Sequence, residues 1–305
     1  MTRRAAGTAH NGPVRWALAV VGVLGVSASG PLMASIAAPA LAIAFWRNAM
    51  ATAVLVPVAA GARHRELSRL DRRHARLLMV AGLALAAHFA AWITALQLTS
   101  VASATALVCL QAGFVVMIGR WSGERVSKGV VVGLAAAFAG VLVVSGVDVT
   151  VSTRALVGDL LALAGGLFAA VYTWTGADLR RTLSTTVYTT LCYGICALVL
   201  LLACVGGGQD LAGYASDDWV KLGAVALSAQ LLGHSVFNHL LATLGPTVIS
   251  LVLLLEVPGA ALLAAVFLGQ APPAGVYVGL VLIVVGLGLV VSARRTPLPV
   301  EAGVD

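Results

Sequence analysis

Long apolar runs, separated by short polar stretches, dominate the chain. The runs are about 18–22 residues long, the length that crosses a bilayer as a helix. They lack the period-two alternation of barrel strands. The pattern therefore predicts an all-α polytopic membrane protein with ten transmembrane helices, near residues 15–35, 40–60, 77–98, 102–119, 128–147, 156–175, 187–206, 221–243, 247–268 and 274–293.

Composition supports lipid as the main solvent of this chain. Hydrophobic residues make up 60% of it, charged residues only 10%, and the mean hydropathy is +0.99. A soluble domain needs far more surface charge. The net charge of +7 lies mostly in alternate loops, which is typical of membrane topology and not of nucleic-acid binding.

The distribution of basic residues predicts the orientation. Sixteen Lys and Arg residues fall in the termini and in every second loop, against two, Arg154 and Lys221, in the other loops. By the positive-inside rule, both termini are cytoplasmic and the protein is a multi-pass protein of the plasma or inner membrane. The N-terminus is similar to a signal peptide, and we interpret it as an uncleaved first helix.

The second half of the chain repeats the first in outline. A shift of 146 positions places Gly133 on Gly279, Gly140 on Gly286, and His88 on His234. Each repeat holds five predicted helices, so the second copy is inserted upside down, as in transporters built from inverted repeats. The predicted repeats are 15–147 and 156–293, with cytoplasmic tails 1–14 and 294–305.

Three stretches carry a family resemblance. HFAAWITALQLTSVASATALVCLQAG, GDLLALAGGLFAAVYTWTGADLRR and GHSVFNHLLATLGPTVISLVLLLEVPGAALLAAVFLGQ follow one another in an order and spacing that resemble the EamA branch of the drug/metabolite transporter superfamily. The family usually has a proline in its fourth and ninth helices, where this chain has Gln111 and Val257, with Pro258 displaced by one residue. The resemblance implies export or exchange of small metabolites or drugs.

Polar residues at mid-bilayer depth are the candidate site. Glu256 lies about ten residues into the ninth predicted helix, where a charge facing lipid costs roughly 2.5–3.5 kcal/mol. It is either a proton acceptor for antiport or a carboxyl bonded to a neighbouring helix. His88 and His234 occupy equivalent places, so inverted repeats would put them on opposite sides of one cavity, as a proton relay or as buried packing residues.

Helical spacing extends these positions into two stripes. Gln230, His234 and Asn238 follow at i, i+4 and i+8, and His88, Trp92 and Thr99 lie on roughly one side of the third helix. Trp92 either forms a cavity wall or packs against another helix. Gln111 either faces the cavity or bonds another helix, because an amide facing lipid is unfavourable.

Three further features have a structural interpretation. Arg47, inside the second helix, either attracts an anion, pairs with Glu256 or, as we favour, extends to the headgroups. Tyr172 and Trp174 are expected to anchor the sixth helix at the interface. The cysteines are expected to pack without a disulfide or metal. The paired glycines of helices five and ten are expected to allow close helix packing within the chain, with dimerisation through these faces as the less favoured alternative.

Nucleotide and metal motifs are absent from the sequence, so we expect no cofactor, no metal and no enzymatic activity. The prediction is a secondary transporter with a small-molecule substrate in the bilayer, working by alternating access as a monomer or homodimer, with proton coupling an open option. The alternative is a membrane-embedded enzyme or flippase acting on an amphiphilic, lipid-like substrate.

Overall fold

The computed structural model describes residues 12–124, 126–146, 152–270 and 274–295, and within these ranges every regular element is helical. The predicted terminal tails and position 147 lie mostly outside the described residues. In order, the helices are α1 Gly12–Ser27, α2 Ser29–Ala34, α3 Ala40–Ala62, α4 His64–Leu67, α5 Arg72–Leu96, α6 Val101–Val108, α7 Gln111–Trp121, α8 Lys128–Gly146, α9 Thr153–Leu179, α10 Thr185–Gly206, α11 Ser216–Val225, a π-helix Ala226–His234, α12 Ser235–Val252, a 3-10 turn Leu253–Leu255, α13 Glu256–Leu268 and α14 Ala274–Arg295.

Seven segments among the described residues are long and apolar enough to cross a membrane, so the chain is a multi-pass membrane protein. Two shorter apolar helices, Lys128–Val143 and Ala274–Gly286, accompany them. One of the seven, Ser216–Leu268, is 53 residues long and bends at Gly245, whose φ of 77° favours glycine. The count of ten separate spans is therefore not established by helix length alone.

Side-chain caps, and not the ends of apolar runs, fix several helix starts. Ser100, Ser152 and Ser184 each accept a hydrogen bond from the backbone N–H three residues later. Asp71 does the same for α5, and the hydrogen bond from the His74 backbone N–H lowers the pKa of its carboxyl. This is why α5 and α9 begin a few residues before the predicted starts at 77 and 156.

Two long apolar segments are each interrupted by a short turn. Between α6 and α7 the chain makes a tight turn at Cys109–Leu110, and α12 reaches α13 through the 3-10 turn at Leu253–Leu255. Pro258 explains the second break, because it has no N–H to donate to the carbonyl four residues earlier. The first break forms without proline. The Sγ of Cys109 donates to the carbonyl of Leu253 at 3.5 Å and links the two breaks.

Helices α8 and α14 pack side by side through the paired glycines. A Cβ on Gly140 would meet the carbonyl of Gly279, and a Cβ on Gly286 would meet the carbonyl of Gly133. The two helices are thus antiparallel, and exchanging the repeats converts one contact into the other. The predicted close packing at these glycines is thus found within the chain, and the partner of each helix is the other one.

Candidate functional site

A small cavity lies where α5, the α6–α7 break, α9, α12 and the α12–α13 break converge. Its volume is about 40 Å³, enough for only a few water molecules. Six of the seven residues predicted as site residues line it. They are His88, Trp92, Gln111, His234, Asn238 and Glu256.

The two histidines face each other across this cavity. Their ring centroids are 6.4 Å apart. The Nδ1 of His88 lies 3.0 Å from the carbonyl of Gly165, an acceptor, so this nitrogen donates and Nε2 is left to face the cavity. The imidazole of His234 makes no hydrogen bond to any of the described residues. Its ring touches the edge of Phe89, 5.4 Å between centroids.

Aromatic side chains form much of the wall. The Trp92 ring stacks on His88 with centroids 5.7 Å apart, and its indole Nε1, although buried, has no hydrogen-bond partner among the described residues. Tyr172 lines the cavity from α9, and Phe237 lines it from α12. Thr99 lies beyond the end of α5 and does not line the cavity, so the predicted stripe of His88, Trp92 and Thr99 does not extend to Thr99.

Tyr172 was wrongly predicted to be an interfacial anchor. It is only 4% exposed, and its hydroxyl accepts a 2.6 Å hydrogen bond from Nδ2 of Asn238. The same amide donates to the hydroxyl of Tyr193 at 3.1 Å. The burial of Tyr172 could have been predicted from the sequence, because the same face of α9 carries small residues that let α9 approach α5 closely.

Gln230 is the one predicted site residue outside the cavity lining. Its Oε1 accepts a 2.9 Å hydrogen bond from Nε of Arg47, and its Nε2 donates to Oδ1 of Asn48 at 3.1 Å. The π-helix explains the departure, because its wider turn rotates Gln230 away from the face that carries Asn238. The i, i+4, i+8 argument assumed α-helical geometry throughout.

Arg47 does not extend to the headgroups, so that interpretation is wrong. The side chain is 0% exposed. Besides Gln230, it contacts the sulfur of Met33 at 3.4 Å, and its guanidinium carbon lies 4.0 Å from the centroid of the Phe89 ring. It is near enough to Glu256 for electrostatic attraction. A buried cation of this kind needs a nearby anion.

Glu256 is the first residue of α13 and, among the described residues that line the cavity, the only Asp, Glu, Lys or Arg. Its carboxyl makes no hydrogen bond or ion pair with any residue that the structure describes, and the residue is 6% exposed. Arg47 is the nearby cation whose electrostatic attraction acts on this carboxyl.

The two ends of the bundle differ. At the end that carries the α4–α5 and α9–α10 connections, an open recess of about 630 Å³, which we name the vestibule, is lined by Glu124, Trp174, Asp178, Arg181 and residues 241–246, among others. Leu241 lines both the vestibule and the cavity. It therefore forms a thin partition between them.

At the opposite end, contacts between the two halves of the chain close the bundle. The indole Nε1 of Trp46 donates to the carbonyl of Leu211 at 2.9 Å, and the Trp46 ring meets that of Trp219 edge to face at 4.9 Å. The backbone N–H of Ala37 donates to Oδ1 of Asp218 at 3.2 Å. Lys221 donates to the carbonyl of Ser35 at 3.2 Å. We name this set of contacts the seal.

No group of three or more His, Cys, Asp or Glu side chains with metal-binding geometry occurs among the described residues. All four cysteines are free and buried, with no disulfide between them.

Comparison with known proteins agrees with this architecture. Residues 15–146 and 156–292 each match the family model described as the EamA-like transporter family. A crystal structure described only as that of a protein superposes with a TM-score of 0.70 at 19% identity, covering 93% of this chain and 98% of its own. At that identity the likeness concerns the fold alone. No curated protein matches the sequence.

Proposed function

The chain belongs to the EamA-like transporter family, whose members carry small molecules across membranes, and we propose that it is a secondary transporter working by alternating access. The observation that carries this proposal is the cavity. The polar side chains that the sequence predicts at mid-bilayer depth line this cavity, which we call the chamber and which lies between the two halves of the chain. A vestibule lies on one side of the chamber and a seal on the other.

The topology we propose is ten spans in two inverted repeats, 15–147 and 156–293. Ser216–Leu268 counts as two spans because the chain bends at Gly245, and the shorter helices near 128–143 and 274–286 count as one each. The reciprocal glycine contacts between α8 and α14 support a two-fold relation in the plane of the membrane. We place the vestibule on the cytoplasmic side of the plasma or inner membrane, with both termini cytoplasmic.

The transport cycle follows from this arrangement. The chamber of about 40 Å³ is too small for a metabolite, since sites for such ligands hold about 300–1,000 Å³. The substrate therefore enters from the vestibule as Leu241 moves aside. Breaking the seal and closing the vestibule then expose the chamber to the other side. The breaks in the two spans, joined by the Cys109–Leu253 contact, are hinges for this motion.

Coupling to protons is assigned to Glu256. A buried ionised carboxylate without a hydrogen-bond partner is unfavourable. The Glu256 carboxylate must therefore bind a proton or a substrate before the protein closes around the chamber and reopens it to the other side. Its titratable or charged neighbours are Arg47, Cys109, His88, His234 and Tyr172. Because substrate and proton exchange at this group, the entry of protons down their gradient would drive the export of substrate.

The test uses the purified protein in proteoliposomes under an imposed pH gradient. Candidate solutes come from metabolite profiling of cells with and without the gene. The wild type should give gradient-dependent flux of at least one solute. Glu256→Gln should lose that dependence, while Asp210→Asn, an exposed carboxylate outside the cavity, should keep it. Full gradient-driven transport by Glu256→Gln would refute proton coupling, and absence of any protein-dependent flux would refute the transport proposal.

A further inference from the structure

We infer that the chamber recognises the cationic head of its solute, a protonated amine with an apolar body. This inference rests on the proposed transport function and specifies the chemistry of its substrate. It follows from the charge, the walls and the unpaired polar atoms of the chamber.

Charge gives the first argument. Among the described residues on the chamber wall, Glu256 is the only Asp, Glu, Lys or Arg, and these residues offer its carboxyl no hydrogen bond. An ammonium group would supply both the missing charge and the missing donors, in the charge-assisted hydrogen bond that carboxylates form most strongly. An anionic head would meet a like charge in a medium of low polarity.

Arg47 does not create a site for anions. It is absent from the chamber lining, and its guanidinium contacts Gln230 through Nε, Met33 through Nη1 and the face of Phe89, while Nη2 is buried without a hydrogen-bond partner among the described residues. Its effect on the chamber is indirect, through its electrostatic attraction for the carboxyl of Glu256. A solute in the chamber therefore meets the carboxyl of Glu256 and not the guanidinium of Arg47.

The walls supply the second argument. Trp92, Tyr172 and Phe237 present aromatic rings to the chamber beside the two imidazoles. Aromatic faces attract cations, Trp most strongly, and the attraction grows when the site excludes water. A carboxylate among aromatic rings is a combination suited to an organic cation.

The third argument comes from Trp92. Its indole Nε1–H is buried without a partner in the described part of the chain, and the ring lines the chamber. A buried donor left unpaired is unfavourable, because it has lost its hydrogen bond to water without gaining another. A substrate with a hydroxyl or carbonyl oxygen near its amine would satisfy this donor while the ammonium group binds Glu256.

Three probes of nearly the same shape and different charge test the inference: 2-phenylethylamine, 2-phenylethanol and phenylacetate. Their binding to the full chain in detergent at pH 7 is measured by calorimetry, which is insensitive to the passive permeation of these probes. The amine should bind at least about tenfold more tightly than the alcohol, and phenylacetate should bind most weakly.

Variants assign the preference to residues. Glu256→Gln, nearly the same in size, should reduce the advantage of the amine to less than about threefold, whereas Asp210→Asn should keep it. Trp92→Leu should weaken amine binding more than Trp92→Phe, which keeps an aromatic ring. A thermal melt of each variant checks that it is folded.

Equal binding of the three probes, tighter binding of phenylacetate, an unchanged preference in Glu256→Gln, or no binding of the amine would each overturn the inference. These results leave the transport proposal standing, because that proposal is decided by flux in proteoliposomes. Conversely, cation-selective binding without any flux would overturn transport and leave the binding site.

Discussion

The imidazole rings of His88 and His234 lie 6.4 Å apart, centroid to centroid, although 146 positions separate them in the chain. The two side chains are not equivalent in their surroundings. His88 is fixed by the carbonyl of Gly165, whereas His234 has only ring contacts with the residues described. The pair is therefore symmetric in position and asymmetric in bonding.

This asymmetry predicts different effects of the same substitution. His88→Gln should lower the unfolding free energy by about 1 kcal/mol, because the hydrogen bond to Gly165 is weakened. His234→Gln should leave stability nearly unchanged and slow transport by about tenfold, corresponding to about 1.4 kcal/mol of lost substrate interaction. Thermal melts and initial rates in proteoliposomes measure the two quantities. The reverse order of effects would contradict a role for His234 in the chamber.

The buried Arg47–Gln230 hydrogen bond predicts non-additive stability changes. Arg47→Met and Gln230→Leu should each destabilise the protein by about 1–3 kcal/mol, since each leaves a buried polar partner unpaired. The double variant should lose less than the sum. Unfolding in mixed detergent micelles measures the cycle, with exposed Arg76→Met as the control. Strict additivity would show that the two side chains do not stabilise each other.

The contact between α8 and α14 gives a matched pair of glycine variants on one helix. Gly286→Ala should destabilise the protein by about 1–3 kcal/mol, because the new Cβ would press on the carbonyl of Gly133. Gly288→Ala meets nothing within 4 Å and should be neutral or stabilising by up to about 1 kcal/mol. Thermal stability in detergent distinguishes them, and similar melting points would argue against close packing at Gly286.

Locking the seal should stop the transport cycle. In the double variant Ala37→Cys with Asp218→Cys, a short bis-methanethiosulfonate should join the two halves through two disulfides, with loss of methanesulfinate, where the Ala37 N–H now meets the Asp218 carboxylate. Flux should fall to the level of empty liposomes and return after reduction. Each single variant treated in the same way should keep its flux. Undiminished transport by the cross-linked protein would mean that the seal does not open during the cycle.

Part of the site was readable from the sequence because depth in a membrane is one-dimensional. Counting from the ends of apolar runs placed His88, His234 and Glu256 near mid-bilayer, and the energy of exposing such groups to lipid required them to face protein or water. The duplication supplied the further expectation that the two histidines face one cavity. Helical spacing added Trp92 and Asn238, and the cost of an amide facing lipid added Gln111.

The remaining features depended on geometry that residue spacing does not encode. Gln230 does not lie on the predicted helix face, because a π-helix has a wider turn than an α-helix. Tyr172 and Arg47 lie at depths where either the interface or the interior satisfies the side chain, and only the packing of α9 and α3 placed them inside.

The sequence by itself determined the class of protein, the approximate position of its apolar spans and the pairing of its two halves, because all three follow from hydropathy and from internal similarity along one dimension. Tertiary structure alone decided that Arg47 lies behind the wall of the chamber, that Glu256 lies on that wall, and that the contacts of the seal form at the end opposite the vestibule. Those facts depend on how helices distant in sequence pack, and packing is set by the shapes of facing surfaces, which a linear pattern does not specify.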